Sequence, residues 1–415
     1  MAAVTEVLRR FEIQAPSPKA RNDIHGKLLK LVAKASGPVT PEVSRVEQPP
    51  LLDVRLEGGS TAVSGVMTLI AQLPGARIRH DSLDVPSARK GSVYPDLGTL
   101  LRIDAEPGTK APPRGPVNVA IVDSGITVDH PELRNHLWTG DGGIHGKRFI
   151  EGKSDADVTD EDGHGTMLAG TILAVANPAP GVRLMAAKFF DGTTLPRPGN
   201  AAAAIDFAVE NGAGIICLSW DVGLGSARLE EAIRNACRSA LVVIAAGNNG
   251  SDNDRLPSFP SCYRKECPDR IITVMATNRY DEKAGLSNYG RKSVDLAAPG
   301  VAIVSTRRLL SKVAKAAKPE LGWYRSYTGT SAAAAHVTGA AALLKASYSD
   351  LSPEHIKRCL VESVDRLGLK SVSGGRLNLG KALHSAAALM GAQPGNPARR
   401  RSRARRSRRS GSRIA

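Results

Sequence analysis

No run of about 18 to 20 apolar residues occurs anywhere in the 415-residue chain, which excludes an ordinary transmembrane helix. The opening stretch, MAAVTEVLRRFEIQAPSPKARND, lacks an apolar core behind a charged start and lacks a small-residue cleavage site. It does not read as a secretory signal, so the expected location is cytoplasmic, with leaderless export as the alternative. Cysteine is scarce and odd in number: Cys217, Cys237, Cys262, Cys267 and Cys359. A disulfide scaffold is therefore not expected, and a reducing compartment is the simpler assumption. Internal repeats are absent too. What the chain has in excess is positive charge, a formal +16. Nine arginines and no acid fall in residues 391–415, which leaves +7 on the other 390 residues. The body is only mildly basic and is not built as a nucleic-acid surface.

Four segments differ in texture. Residues 1–50 read as an N-terminal extension and linker, with one short amphipathic helix over about Asp23–Ala35. Residues 51–106 read as a small α+β unit: LLDVRLE alternates like a strand, TAVSGVMTLIAQL is helical, and ARIRHDSLDV and TLLRIDAE read as two more strands. A breaker-rich stretch, EPGTKAPPRGP, follows. From Val117 to about residue 388 buried strands alternate with helices: VNVAIVD, then AAAAIDFAVENG, IICLSW, RLEEAIRNACRSA and LVVIAAG. That alternation predicts an α/β domain on a mainly parallel sheet. In SPEHIKRCLVESV, Ser352 is the expected N-cap and Pro353 the first helical residue. Residues 391–415 have almost no apolar content and are expected to be disordered.

Open α/β sheets carry their chemistry at strand ends and helix starts. Four residues stand there. Asp123 ends VNVAIVD, His164 lies in the Gly-flanked DGHGTMLAGTI, Asn248 closes LVVIAAGNNG, and Ser331 opens an alanine-rich helix in GTSAAAAHVTGAAALL. Each alone has a bland reading, as a turn residue or an N-cap.

Together, in the order Asp, His, Asn, Ser, these stretches resemble the subtilase family of serine proteases. Weaker echoes are LMAAKFFDG, SNYGRKSVDLAAPGVAIVST and GGRLNLGKAL, and the resemblance covers about residues 117–388. It implies a three-layer α/β/α domain and a serine endopeptidase that forms an acyl-enzyme. Ser331 would be the nucleophile, His164 the base that takes its proton, and Asp123 the residue that fixes the imidazole tautomer. Asn248 and the Ser331 N–H would hold the oxyanion. Gly163, Gly165 and Gly329 are expected where the backbone needs close approach or unusual dihedrals. No cofactor is required for such chemistry. Protein or peptide substrates are implied, with no membrane partner, and a monomer is the expected state. The rival reading is a catalytically silent subtilase-fold binding or scaffold module.

The sequence departs from the family pattern at Met167, Ala332 and Ala335, where the family usually has His, Met and Pro. His336 is expected to be a packed helix residue. The strand expected to pair with substrate ends Ser219-Trp220-Asp221 where Ser-x-Gly is usual. Asp221, with Asp155, Asp157, Asp160, Glu161 and Asp162 just before His164, would favour a basic residue at the cleavage site; a solvated acidic loop is the alternative. The same loop offers oxygen ligands for calcium, which the family often binds, although EF-hand spacing is absent. Cys262 and Cys267 lack the partners of a zinc site and read as loop residues or an occasional disulfide. Residues 51–106 would be a propeptide or accessory domain, with Lys110 and Arg114 as candidate processing points. The Arg-rich tail reads as a solvated extension, with nucleic acid or another polyanion as a secondary reading.

Overall fold

The computed structural model describes residues 6–14, 39–46, 51–59, 77–84, 97–105, 115–150, 155–176, 181–192, 196–222, 225–307 and 323–391, together with Lys27 and Lys30. The expected helix at 61–73, most of the one near 23–35, and the tail beyond 391 lie outside the described residues.

A four-stranded antiparallel sheet comes first: β1 (Glu6–Gln14), β2 (Val39–Val46), β3 (Leu51–Gly59) and β4 (Arg77–Asp84), in the order β2-β3-β1-β4. β1 is central, with Phe11 opposite Val54 on one side and Asp81 on the other. Two strands therefore come from the stretch read as extension and linker. The segment expected to be the last strand of this unit is instead a helix, α1 (Leu97–Arg102). Leu100 and Ile103 are spaced i, i+3, a helical spacing that also passes for strand alternation through Leu101, Ile103 and Ala105. Asp104, at φ 56°, turns the chain out of the helix, and the Ala105 N–H donates to the Leu100 carbonyl at 2.8 Å. Leu100, Ile103 and Ala105 are buried in the main core of the following domain, and the Leu379 N–H donates to the Ile103 carbonyl at 2.7 Å. α1 is thus part of the large domain.

That domain is built on a nine-stranded sheet. Its strands are β5 (Val117–Asp123), β6 (Gly146–Arg148), β7 (Val182–Lys188), β8 (Ile215–Leu218), β9 (Leu241–Ala245), β10 (Ile271–Thr277), β11 (Leu296–Pro299), β14 (Asp365–Arg366) and β15 (Gly375–Arg376). The order is β14-β15-β11-β10-β9-β8-β5-β7-β6, and only the β14–β15 pair is antiparallel. β12 (Ile303–Thr306) and β13 (Tyr324–Tyr327) form a separate ribbon. Side-chain alternation divides the core between the two faces. Val117, Val119 and Ile121 of β5 join one cluster, and Ala120 and Val122 join the other. The first face carries α2 (His164–Ala176), α5 (Thr330–Ser347), α6 (Pro353–Glu362) and α7 (Leu379–Leu389). The second carries α3 (Pro198–Glu210) and α4 (Ala227–Ala236), completing the three-layer α/β/α domain.

Small side chains explain the central helix pair. All of α5 except Lys345 is buried, so α5 is an internal helix rather than an amphipathic one. A Cβ on Gly339 would lie 2.6 Å from the Ile172 carbonyl, so α5 and α2 approach closely there. Ser352 accepts from the His355 N–H and Pro353 starts α6, the arrangement expected from the sequence. From β5 the chain moves outward to β6 and β7, then crosses back to β8 on the other side of β5. The C-terminal end of β5 therefore lies at a topological switch point, where open α/β sheets form their clefts.

Candidate active site

Asp123 ends β5 and is fully buried. Its Oδ1 accepts from the Ser124 N–H at 2.8 Å and lies 2.8 Å from His164 Nδ1, while Oδ2 is buried without a hydrogen-bond partner among the described residues. The carboxylate makes Nδ1 the protonated nitrogen and leaves Nε2 as the acceptor. Burial would depress the His164 pKa, but the charge and hydrogen bond of Asp123, helped by Asp162 and Asp160, push it up to about 9.

His164 is the first residue of α2. Gly163 sits at φ 95°, which a side chain would oppose, and a Cβ on Gly165 would lie 2.1 Å from the Gly125 carbonyl. Both glycines are required by the backbone. Gly329 is different from expectation: its φ of 161° is extended, and an added Cβ would find only ordinary contact, 3.6 Å from both Asn248 amide atoms.

Ser331 is the second residue of α5, so its N–H is among the first-turn donors with no acceptor inside the helix. Its Oγ donates to the Ser219 carbonyl at 2.8 Å, and no hydrogen bond joins it to His164 among the described residues. Such contacts commonly tighten only with substrate bound. Asn248 follows β9 and is exposed. Its Oδ1 accepts from the Thr330 N–H at 2.9 Å and from Thr330 Oγ1 at 3.0 Å, which fixes the amide so that its NH2 is available to an incoming oxygen. Thr330 was not singled out from the sequence; its place directly before the helix-opening Ser was the signal.

At the end of β8, Ser219 and Trp220 are turned inward. The Trp220 indole donates to the Val122 carbonyl at 2.7 Å, and its ring lies 4.8 Å from that of Phe189. The side chain of Trp220 therefore belongs to the second core cluster, and this segment presents its backbone and the exposed Asp221. Asp221 accepts a hydrogen bond from Ser258 Oγ.

The model of the Subtilase family matches residues 115–381, which is more than half of the chain. The chain belongs to the subtilase family. Among its relatives, the major intracellular serine protease of Bacillus subtilis (strain 168) is 36% identical over 264 residues, 60% of this chain and 72% of that protein. Subtilisin DY of Bacillus licheniformis is 32% identical over 260 residues, 61% of this chain and 85% of that protein. A crystal structure of a lanthipeptide protease superposes with a TM-score of 0.56 at 25% identity, covering 69% of this chain and 94% of that one. This subtilase is a serine-type endopeptidase acting on protein or peptide substrates.

The subtilase's acidic loop is largely neutralised from inside. Asp155 pairs with Lys147 at 3.3 Å, Asp157 with the fully buried Arg148 at 3.7 Å, and Glu161 with both Arg148 and the fully buried Lys188. Burial would raise the Asp157 pKa, but hydrogen bonds from Thr159 and the charges of Arg148 and Lys188 bring it below the usual range. Lys188 Nζ also donates to the carbonyls of Ser124 and Thr159, at 2.7 and 2.6 Å. Asp160 is buried among neutral donors, and Asp162 stays exposed, accepting from the His164 N–H at 3.2 Å. With these carboxylates already held by protein cations and donors, the loop does not fit a calcium ion, which needs six to eight oxygens. No group of three or more His, Cys, Asp or Glu suited to a metal occurs among the described residues. All five thiols are unlinked, and the thiol interacting with Cys267 is Cys237 rather than Cys262.

His336 is buried, with Nδ1 2.8 Å from the Ala332 carbonyl; burial pushes its pKa down to about 4, so it is a neutral packing residue. Met167 and Ala332, at two of the divergent positions, are buried as well.

Proposed function

We propose that this subtilase cleaves peptide bonds through an acyl-enzyme on Ser331, with His164 as general base and Asp123 as its orienting acid. The observation that supports this most directly is the 2.8 Å contact of His164 Nδ1 with Asp123, made at the end of β5, whose neighbour β8 leads into the Ser219 carbonyl that Ser331 Oγ contacts. Ser331 Oγ attacks the scissile carbonyl while its proton passes to His164 Nε2. The Asn248 amide and the Ser331 N–H stabilise the oxyanion, and the imidazolium then gives its proton to the leaving amine. Water repeats the sequence to free the acid product. No step requires a metal.

Asp162 and Asp221 support a preference for a basic residue near the cleaved bond, because they are the exposed carboxylates next to His164 and at the end of β8. The front sheet supports a propeptide role for the residues up to β4. The cut would then fall N-terminal to Leu97 rather than at Lys110 or Arg114, since a cut at either would separate the buried α1 from its domain.

An activated peptide ester in a stopped-flow instrument tests the chemistry. One equivalent of leaving group should appear in a burst with the wild type and none with Ser331→Ala. A steady, burst-free release by both proteins would reject the acyl-enzyme on Ser331. In a positional peptide library, Lys or Arg should be cleaved best; a clear apolar optimum would remove the basic preference.

A further inference from the structure

Behind the Asp123–His164 pair lies a carboxylate that no step of the mechanism uses. Asp160 is fully buried. It collects four neutral donors. Its Oδ1 accepts from Ser124 Oγ at 2.9 Å and from the Gly163 N–H at 2.7 Å. Its Oδ2 accepts from the Thr166 N–H at 2.8 Å and from Thr166 Oγ1 at 2.6 Å.

The donors come from two separate pieces of chain. Gly163 and Thr166 bracket His164 at the start of α2. Ser124 follows Asp123 directly and already donates its own N–H to the Asp123 carboxylate at 2.8 Å. Ser124 Oγ, having given its proton to Asp160, accepts from the Gly165 N–H at 2.9 Å. One carboxylate thus fastens the end of β5 to the first turn of α2, and each of the five bonds falls within three residues of Asp123 or His164. The Thr127 N–H donates to Thr166 Oγ1 at 3.0 Å, adding a second tie between the same two segments.

We propose that Asp160 is a positioning residue, setting the separation and orientation of Asp123 and His164 by clamping Ser124 to the N-terminus of the His164 helix. This rests on the triad reading given above. A carboxylate is needed because all four contacts are donors, and an ionised acid offers acceptors only. An Asn of the same shape would keep one oxygen and turn an NH2 group toward two donors. The cost of losing the clamp is set by the geometry of the transition state, where a displacement of about 1 Å is worth roughly 10²-fold.

The test compares wild type, Asp160→Asn and Ser124→Ala by the rate of phosphonylation with a small fluorophosphonate, which loses fluoride as Ser331 Oγ bonds to phosphorus, counted per active site by burst titration. A small probe makes few contacts beyond Ser331, so peptide KM is measured beside it. Asp160→Asn should slow phosphonylation per site by roughly 10- to 100-fold with peptide KM within about 2-fold of wild type. Ser124→Ala, which removes one hydroxyl, should slow it by about 3- to 10-fold, and it carries the test if Asp160→Asn fails to fold. Fewer active sites, each reacting at the wild-type rate, would make Asp160 a merely structural residue and overturn the proposal. Failure of the wild type itself to label would instead reject the triad reading, so the two failures are distinguishable.

Discussion

The two halves of the cleft are held by different physics. On the Asp123–His164 side, buried ions do the holding: Asp160 gathers four donors, Lys188 bridges Ser124, Thr159 and Glu161, and Arg148 lies among Asp157, Glu161 and Asp191. On the Ser331–Asn248 side the ties are neutral. Thr330 fixes the Asn248 amide, the Ser331 hydroxyl rests on a carbonyl, and alanines let α5 pack into the core. The charged half changes character with pH and punishes loss of one partner, because an unpaired buried ion is costly. The neutral half should be insensitive to pH, its substitutions acting on turnover.

The largest effect in this comparison is expected from the neutral half. Asn248→Ala should lower kcat by roughly 10²–10³-fold with little change in KM or in folding, since the amide acts on the oxyanion. Steady-state kinetics beside a thermal melt would separate this from general damage. On the charged side, Lys188→Met should appear in stability: it removes one of the two cations beside Glu161 and the Lys188 donor from the Ser124 and Thr159 carbonyls, at about 3–5 kcal/mol in a urea titration. A loss below about 1 kcal/mol would mean that water replaces the ammonium easily, and the contrast between the halves would weaken. The smallest effect belongs to an exposed carboxylate. Asp221→Asn should reduce kcat/KM for basic peptides by about 5-fold, the scale of a solvent-exposed ion pair, with apolar peptides unaffected.

Much of the large domain was legible because its strands are short apolar runs separated by helices with clear stops. VNVAIVD could hardly be anything but a buried strand. The front of the chain was harder. β1 pairs with residues 37 to 53 positions away in β3 and 63 to 76 positions away in β4, and EVLRRFEIQ carries too little alternation to announce it. At α1, Leu100 and Ile103 fit a helical period while Leu101, Ile103 and Ala105 fit strand alternation, and burial of Leu100, Ile103 and Ala105 against the later domain decided the outcome. The positions of Asp123, His164, Asn248 and Ser331 at strand ends and helix starts followed from pattern. The roles of Asp160 and Lys188 did not, because their meaning depends on partners 36 and 64 residues away. Read along the chain, Asp160 was one acid among five; in space it is the one bonded to both sides of the Asp–His pair.

The charged half also sets a pH signature. His164 titrates near 9 when folded, above its ordinary value of 6.5. Its protonation therefore contributes stability in full below about pH 6.5, and that contribution is lost as pH rises through about 9. A base must be neutral to take the Ser331 proton, so reactivity should rise over the interval in which this stability falls. The rate of phosphonylation by a fluorophosphonate measured from pH 6 to 10, with the adduct mapped by mass spectrometry, examines nucleophile and base together. The account predicts a single adduct on Ser331, absent from Ser331→Ala, with a rate that climbs to half its maximum near pH 9. An adduct on another residue, or a rate independent of pH across that range, would contradict it.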